Sequence, residues 1–180
     1  MQAPGPNEAF ASFECEVDLL LSAGRTGAPA QDAKSGFFGL PHDDFLDVLR
    51  NLRDEIEQRA YFAIVAAAEG VIQIDFRARA NGRANVPLRS KARDLTRKER
   101  HRRRIVLEDV LDAWSDLPGA RREPISEFKQ LLNHRHWLAH GRYFVNRAGV
   151  PDDPSFAMAR ATALFDELHR VDPAFPRGDP

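Results

Sequence analysis

From Tyr61 to Phe76 the chain is apolar on almost every face. A helix that is hydrophobic all round has no side to give to water, so this segment must sit inside a shell that the rest of the chain supplies. With 180 residues, 43% of them apolar, there is material for one domain with a real core. Within the segment, Phe62, Val65, Ala66, Ile72 and Phe76 recur at spacings of three and four. Glu69 falls in the same stripe, and a carboxylate there needs a partner.

The surrounding segments carry the same period. Phe10, Phe13, Val17 and Leu20 or Leu21 predict a first helix over Glu8 to Ser22. Ala23 to Leu40 holds Gly24, Gly27, Pro29, Gly36 and Gly39 and reads as a loop held down by Phe37 and Phe38. A second helix is expected from Pro41–Asp44 to about Arg79, with a break near Gly70, and Asn81-Gly82 stops it. A third is expected from Asp94 or Thr96 to Trp114, burying Ile105, Val106, Val110, Leu111 and Trp114. A fourth starts with Pro124 at its first position and turns Ile125, Phe128, Leu131, Leu132, Leu138 and Ala139 inward. A fifth follows Asp152-Asp153-Pro154, with Phe156, Ala157, Leu164, Phe165 and Leu168 apolar. No strand alternation persists beyond a few residues. The expected fold is therefore all-α, a compact bundle of about five helices. Residues 1–40 contribute a helix and a Gly/Pro-containing loop to the same domain, 41–170 form the bundle, and 171–180 are expected to fray.

Composition narrows the setting. The longest near-apolar stretch is far short of the roughly 20 residues that span a membrane, and no secretory leader is legible at the N-terminus. Cys15 is the single cysteine, which fits a reducing cytoplasm. The net charge of −1 hides three blocks: residues 1–76 carry −8, 77–104 carry +10 and 105–180 carry −3. The basic block includes Arg97, Lys98, Arg100, Arg102, Arg103 and Arg104, candidates to track an RNA backbone. It has no interleaved aromatics for base stacking, and a solvated helix face or contact with the acidic first 76 residues explains it equally well.

The stretch that carries chemistry is Asn133-His134-Arg135-His136-Trp137-Leu138-Ala139-His140-Gly141-Arg142-Tyr143. It holds three of the six histidines and two arginines at the end of an amphipathic helix. One reading is a solvated helix end whose cations favour the negative C-terminal dipole. Another is a metal site, because His136 and His140 stand at i and i+4 as in helical zinc sites; Trp137 stands where such a site has Glu, and no Cys or acid lies nearby in sequence. His134 and His42 read as surface histidines, and Trp137 and Leu138 as core or interface.

The order Arg135, four residues, His140-Gly141, with a polar residue directly after the arginine, resembles the R-x-x-x-x-H motif of the HEPN superfamily. The Leu138-Ala139-His140-Gly141 run, its place in the C-terminal third of a helical chain, and the acid Glu69 in a buried upstream helix add to the likeness. It covers about 122–145 closely and 40–170 loosely. The resemblance implies a helical bundle, a homodimer, and a metal-independent ribonuclease of the toxin–antitoxin or phage-defence kind, with a possible antitoxin protein as partner and RNA as substrate. No cofactor is implied.

The residue types fit that chemistry on their own. Attack by the RNA 2′-hydroxyl needs a proton carrier that works near neutral pH, a role for His140. It also needs a cation fork for the phosphate, a role for Arg135. Asn133, His136, Glu69, Arg142 and Tyr143 are expected to support them. Glu69 would orient His140 or pair with Arg135, or else form a structural ion pair with another arginine. Five residues turn an ideal helix by about 140° and advance about 7.5 Å, so Arg135 and His140 do not share a face whereas Asn133, His136 and His140 do. Two copies facing each other through Asn133–Arg142 would complete one groove. A HEPN-like module that binds a nucleotide or a protein without cleaving is the alternative, since function lives in the assembled site.

Overall fold

The computed structural model describes residues 5–26, 41–82, 88–99, 105–139 and 150–176. They form six helices: α1 (Pro6–Thr26), α2 (His42–Asn81), α3 (Arg89–Glu99), α4 (Leu107–Ser115), α5 (Arg122–Ala139) and α6 (Pro154–Val171). Among the described residues there is no strand, and no helix is long and apolar enough to cross a membrane. The all-α expectation holds, with six helices in place of five.

The extra helix comes from the stretch read as one helix ending at Trp114. Val106 is extended (φ −94°, ψ 153°), and α4 starts afresh at Leu107 with Glu108 and Asp109 in its first turn. Acids at the new N-terminus and cations toward the end of α3 each suit the local helix dipole, so the change of charge at Leu107 marks a boundary that apolar spacing conceals. Val106, expected inside, is exposed.

The central helix α2 runs 40 residues without a break at Gly70, about 60 Å. Its buried stripe is Tyr61, Ile64, Val65, Ala68, Ile72 and Phe76. Phe62 is half-buried at the stripe's edge and Ala66 is exposed, contrary to expectation. Packing along this stripe outweighs the cost of a helical glycine, about 1 kcal/mol relative to alanine. A Cβ added at Gly70 would meet no atom within 4 Å. Gly70→Ala is therefore expected to stabilise the protein by about 0.5–1 kcal/mol, read as a rise in the denaturation midpoint at constant slope.

Around α2 the core gathers Trp114 and Leu111 of α4, Phe128 and Leu131 of α5, and Ala157, Leu164 and Leu168 of α6. The fourth predicted helix starts at Arg122, so Pro124 is its third residue and still in the turn that needs no amide donor. Ala139, predicted to point inward, is exposed. Asp153 caps α6 by accepting from the Ser155 amide at 2.8 Å.

The expected fraying from residue 171 is corrected as far as Pro176. Phe175 is buried against Trp114 and Phe165, with ring centroids 5.6 and 5.5 Å apart. His169 Nδ1 lies 2.9 Å from the Phe175 carbonyl. Asp172 is tied to Arg79 on α2, whose Nε and Nη2 donate to Asp75 at 2.6 and 3.1 Å. The Arg79 guanidinium stacks on the Trp114 ring at 4.8 Å. This buried triad fastens the chain's end to the C-terminal part of α2. Of the loop expected over Ala23–Leu40, residues 23–26 are instead the last turn of α1, which continues to Thr26, and residues 27–40, with Phe37 and Phe38, lie outside the described residues.

Candidate functional site

The C-terminal turns of α5 meet the middle of α2. On α5 the buried positions are Ile125, Phe128, Leu131, Leu132, His134 and Leu138. Arg135 is one helical step from that stripe, which aims its side chain along the protein surface toward α2. There Arg135 Nη1 donates to Glu69 Oε2 at 2.5 Å. Glu69 Oε1 accepts from Gln73 Nε2 at 3.0 Å, one turn further along α2. The pair lies at the rim, with side chains 28% and 24% exposed. Of the partners open to Glu69 by sequence, Arg135 is the one that the described residues provide.

Asn133 and His136 are exposed on the outer side of α5. They share a face, as their spacing requires, and Arg135 occupies another. His140, Gly141, Arg142 and Tyr143 lie outside the described residues.

His134 is corrected. Its side chain is fully buried, and Nε2 is hydrogen-bonded to Asp152 just before α6. The ring meets Tyr61 edge-on at 5.2 Å and stacks on Trp137 at 5.4 Å. Its position three residues after Leu131 and four before Leu138 places it on the apolar stripe, a signal that the residue's polarity masks. Tyr61, which in the sequence is only the first residue of the apolar segment, belongs to the same cluster. Its hydroxyl donates to the Leu131 carbonyl at 3.3 Å. Burial first, and the negative Asp152 second, push its pKa far above the ordinary tyrosine value, with Arg135 partly opposing. Tyr61 is thus a neutral hydrogen-bond donor joining α2 to α5.

Asp152 also borders a polar cleft of about 610 Å³ lined by Asn51, Asp54, Glu55, Glu57 and Gln58. Four carboxylates there repel a polyanion, so an RNA strand reaching Arg135 would have to approach away from this cleft.

The basic block is partly spent within the protein. Arg79 is buried in its triad. Lys91 pairs with Asp116, and Arg93 donates to the Ala80 and Gly82 carbonyls at 3.0 and 3.4 Å, satisfying the end of α2. Arg97 is exposed and lies 3.5 Å from Asp94. Lys98 belongs to α3, and its side chain is not among those described; Arg100, Arg102, Arg103 and Arg104 lie outside the described residues.

What the described geometry offers chemically is a guanidinium positioned at the α2–α5 rim by a carboxylate that also reduces its net attraction for anions, with Asn133 and His136 exposed on another face of α5. Comparison with protein-family models, with curated proteins and with solved structures returns no match to this chain.

Proposed function

We propose that this chain is a HEPN-type, metal-independent endoribonuclease that works as a homodimer and cleaves RNA to a 2′,3′-cyclic phosphate and a 5′-hydroxyl. The observation that carries the reading is the Glu69–Arg135 pair at the α2–α5 rim, which positions a guanidinium five residues before His140 on the chain. In the reaction His140 takes the 2′-hydroxyl proton, the 2′-oxygen bonds to phosphorus, and the bond to the 5′-oxygen breaks as that oxygen gains a proton. Arg135 binds the phosphate oxygens as charge grows on them. Asn133 and His136 line the approach, with Arg142 and Tyr143 as further helpers, and cations of the 97–104 run hold the flanking backbone. A toxin or antiviral role, with a neutralising partner protein, fits such an activity in the cytoplasm.

One observation favours a second reading. Glu69 offsets the charge of Arg135, and the cleft at Asp152 is acidic, features that disfavour a polyanion and suit the protein-binding form of a HEPN-like module that does not cleave, a nucleotide being the other ligand open to such a module.

Purified protein incubated with single-stranded RNA separates the two. Cleavage is expected to persist in excess EDTA, because the nucleophile belongs to the substrate and the proton carrier is an imidazole, and His140→Ala should abolish it. Products should carry cyclic phosphate ends. Binding without cleavage in every buffer would favour the second reading, and loss on chelation restored by zinc would favour a metal site at His136 and His140.

A further inference from the structure

His134 is a buried titratable side chain that the proposed reaction does not use. It directly precedes Arg135, and its ring fills a position on the apolar stripe between Leu131 and Leu138. A leucine would pack there without a partner, whereas an imidazole needs hydrogen bonds to offset its burial. Nε2 meets the Asp152 carboxylate. A carboxylate only accepts, so the proton is on Nε2 and His134 donates. Asp152 stands 18 residues along the chain, and the start of α6 does not need it, because Asp153 already accepts from the Ser155 amide and Pro154 opens the helix. The Asp152 side chain, 44% exposed at the acidic cleft, is given to α5 instead.

The bond spans the stretch that carries the motif's histidine. Residues 140–149 run between Leu138 and Val150, both buried, and the His134–Asp152 bond ties the turn before this stretch to the segment after it. The same part of α5 is held to α2 at two further points. The Tyr61 hydroxyl donates to the Leu131 carbonyl at 3.3 Å, and Arg135 Nη1 donates to Glu69 Oε2 at 2.5 Å. Consecutive residues of a helix point about 100° apart. With residue 134 fixed inward by Asp152 and residue 135 fixed on the rim by Glu69, α5 cannot turn about its axis without breaking one of the two bonds. Tyr61 meets His134 edge-on at 5.2 Å and feels the charges of both Asp152 and Arg135, so the three bonds belong to one contiguous cluster. A buried polar network whose members are bonded is rigid and specifies one arrangement.

We propose that His134 and Asp152 are positioning residues for the Arg135–His140 chemistry. Their bond fixes where the stretch bearing His140 leaves and rejoins the bundle, and it holds α5 at the rotation from which the Arg135 guanidinium meets the phosphate. Neither side chain touches RNA in this role. What they supply is geometry prepared before the substrate arrives. The role rests on the ribonuclease reading.

Single-turnover cleavage of single-stranded RNA by the full chain, paired with amide hydrogen exchange, tests it. Asp152→Ala removes the acceptor and Asp152→Asn keeps one, while both take the same charge from the cleft. Asp152→Ala should lower the rate at saturating RNA by about 10- to 100-fold, the scale of a misplacement of about 1 Å, with little change in the RNA concentration that half-saturates it. Asp152→Asn should stay within a few-fold of the parent. His134→Leu should fall as far as Asp152→Ala, and combining the two should cost nothing more, because the same bond is lost in each. The peptide 139–151 should exchange faster in Asp152→Ala than in the parent, at equal helix content by circular dichroism. A purely structural role would move the denaturation midpoint and leave the rate of the folded protein where it was. Parent-like rates or unchanged exchange in Asp152→Ala, equal falls in the two Asp152 variants, or additive falls in the double variant overturn the positioning role while the ribonuclease reading stands. The two Asp152 variants, at a half-exposed position, decide the matter even where His134→Leu does not fold. A parent protein that cleaves no RNA overturns the ribonuclease reading instead, and this role with it.

Discussion

Arg79→Met should cost about 3–5 kcal/mol of folding stability, the loss expected when one member of a buried ionic cluster is removed and its partners remain. The Arg79 side chain is 4% exposed, and those of Asp75 and Asp172 are 10% and 8% exposed. Burial alone would weaken the charge on Arg79, but its hydrogen bonds to both carboxylates raise its pKa above the ordinary value. The two acids respond in opposite directions. Burial pushes the Asp75 carboxyl up and Arg79 offsets this only in part. For Asp172 the same burial is outweighed by the Arg79 hydrogen bond and the Ala174 amide, which hold it below the usual range. Asp172 therefore stabilises the fold above the normal carboxylate pKa, and that contribution is lost as pH falls through its lowered folded value. Asp75 opposes it, giving up stability as pH rises through its raised folded value. Asp75→Asn keeps one acceptor for Arg79 and removes the disfavoured charge, but it sets an amide NH2 against the second guanidinium donor, so it should cost stability, though less than Arg79→Met, which strands two carboxylates. In Arg79→Met both carboxylates are left without the cation, their folded pKa values rise, and the variant should regain stability as pH is lowered toward 5. Chemical denaturation of the parent protein and the two variants at pH 5 and 7 checks magnitude and sign together. A loss below 1 kcal/mol at pH 7, or a deficit that deepens on acidification, would contradict the triad's role.

That triad was not legible in the sequence, and the reason is physical. Apolar period and breakers are local: Pro41 and the acids after it start α2, Asn81-Gly82 ends it, and Asp153-Pro154 starts α6, all within a few residues of the expected places. Which cation a buried acid chooses is a long-range matter, and Arg79 finds Asp172 93 residues away. From the sequence Arg79 was one cation among twelve in a basic block, with nothing local to separate it from its solvated neighbours.

The candidate site divides in the same way. Glu69 announced its need for a partner by sitting beside an apolar stripe, and Arg135 was one of the partners open to it. His134 stands on the α5 stripe, but its polarity points to the surface, and neither its burial on Tyr61 nor its bond to Asp152 has a local signal. The break expected at Gly70 rested on intrinsic propensity, which core packing on both sides of it overrides.

Arg135→Ala should lower RNA cleavage by about 10²–10³, the usual consequence of deleting a donor aimed at charge that develops in a transition state. The fold should survive, because the pair with Glu69 is partly exposed and such pairs contribute at most about 1 kcal/mol. Arg135→Lys should not rescue the rate fully, since an ammonium supplies a point charge where the guanidinium supplies a planar fork. Glu69 makes the test sharper. In the free protein its carboxylate holds Nη1 at 2.5 Å, so a phosphate arriving at Arg135 must share the guanidinium with it. Glu69→Gln keeps an oxygen acceptor in place while removing the competing charge. RNA should then bind more tightly, and the slope of log affinity against log salt should steepen by about 0.7 if one more phosphate contact forms. Removing Arg135 should flatten that slope by a similar amount. Single-turnover rates at saturating RNA separate the roles: a large fall for Arg135→Ala with a small one for Glu69→Gln makes the carboxylate a positioning group, whereas equal falls would mean that it acts on the reacting atoms. Cleavage by Arg135→Ala at close to the parent rate would remove the guanidinium from the mechanism, and with it the ribonuclease reading of this rim.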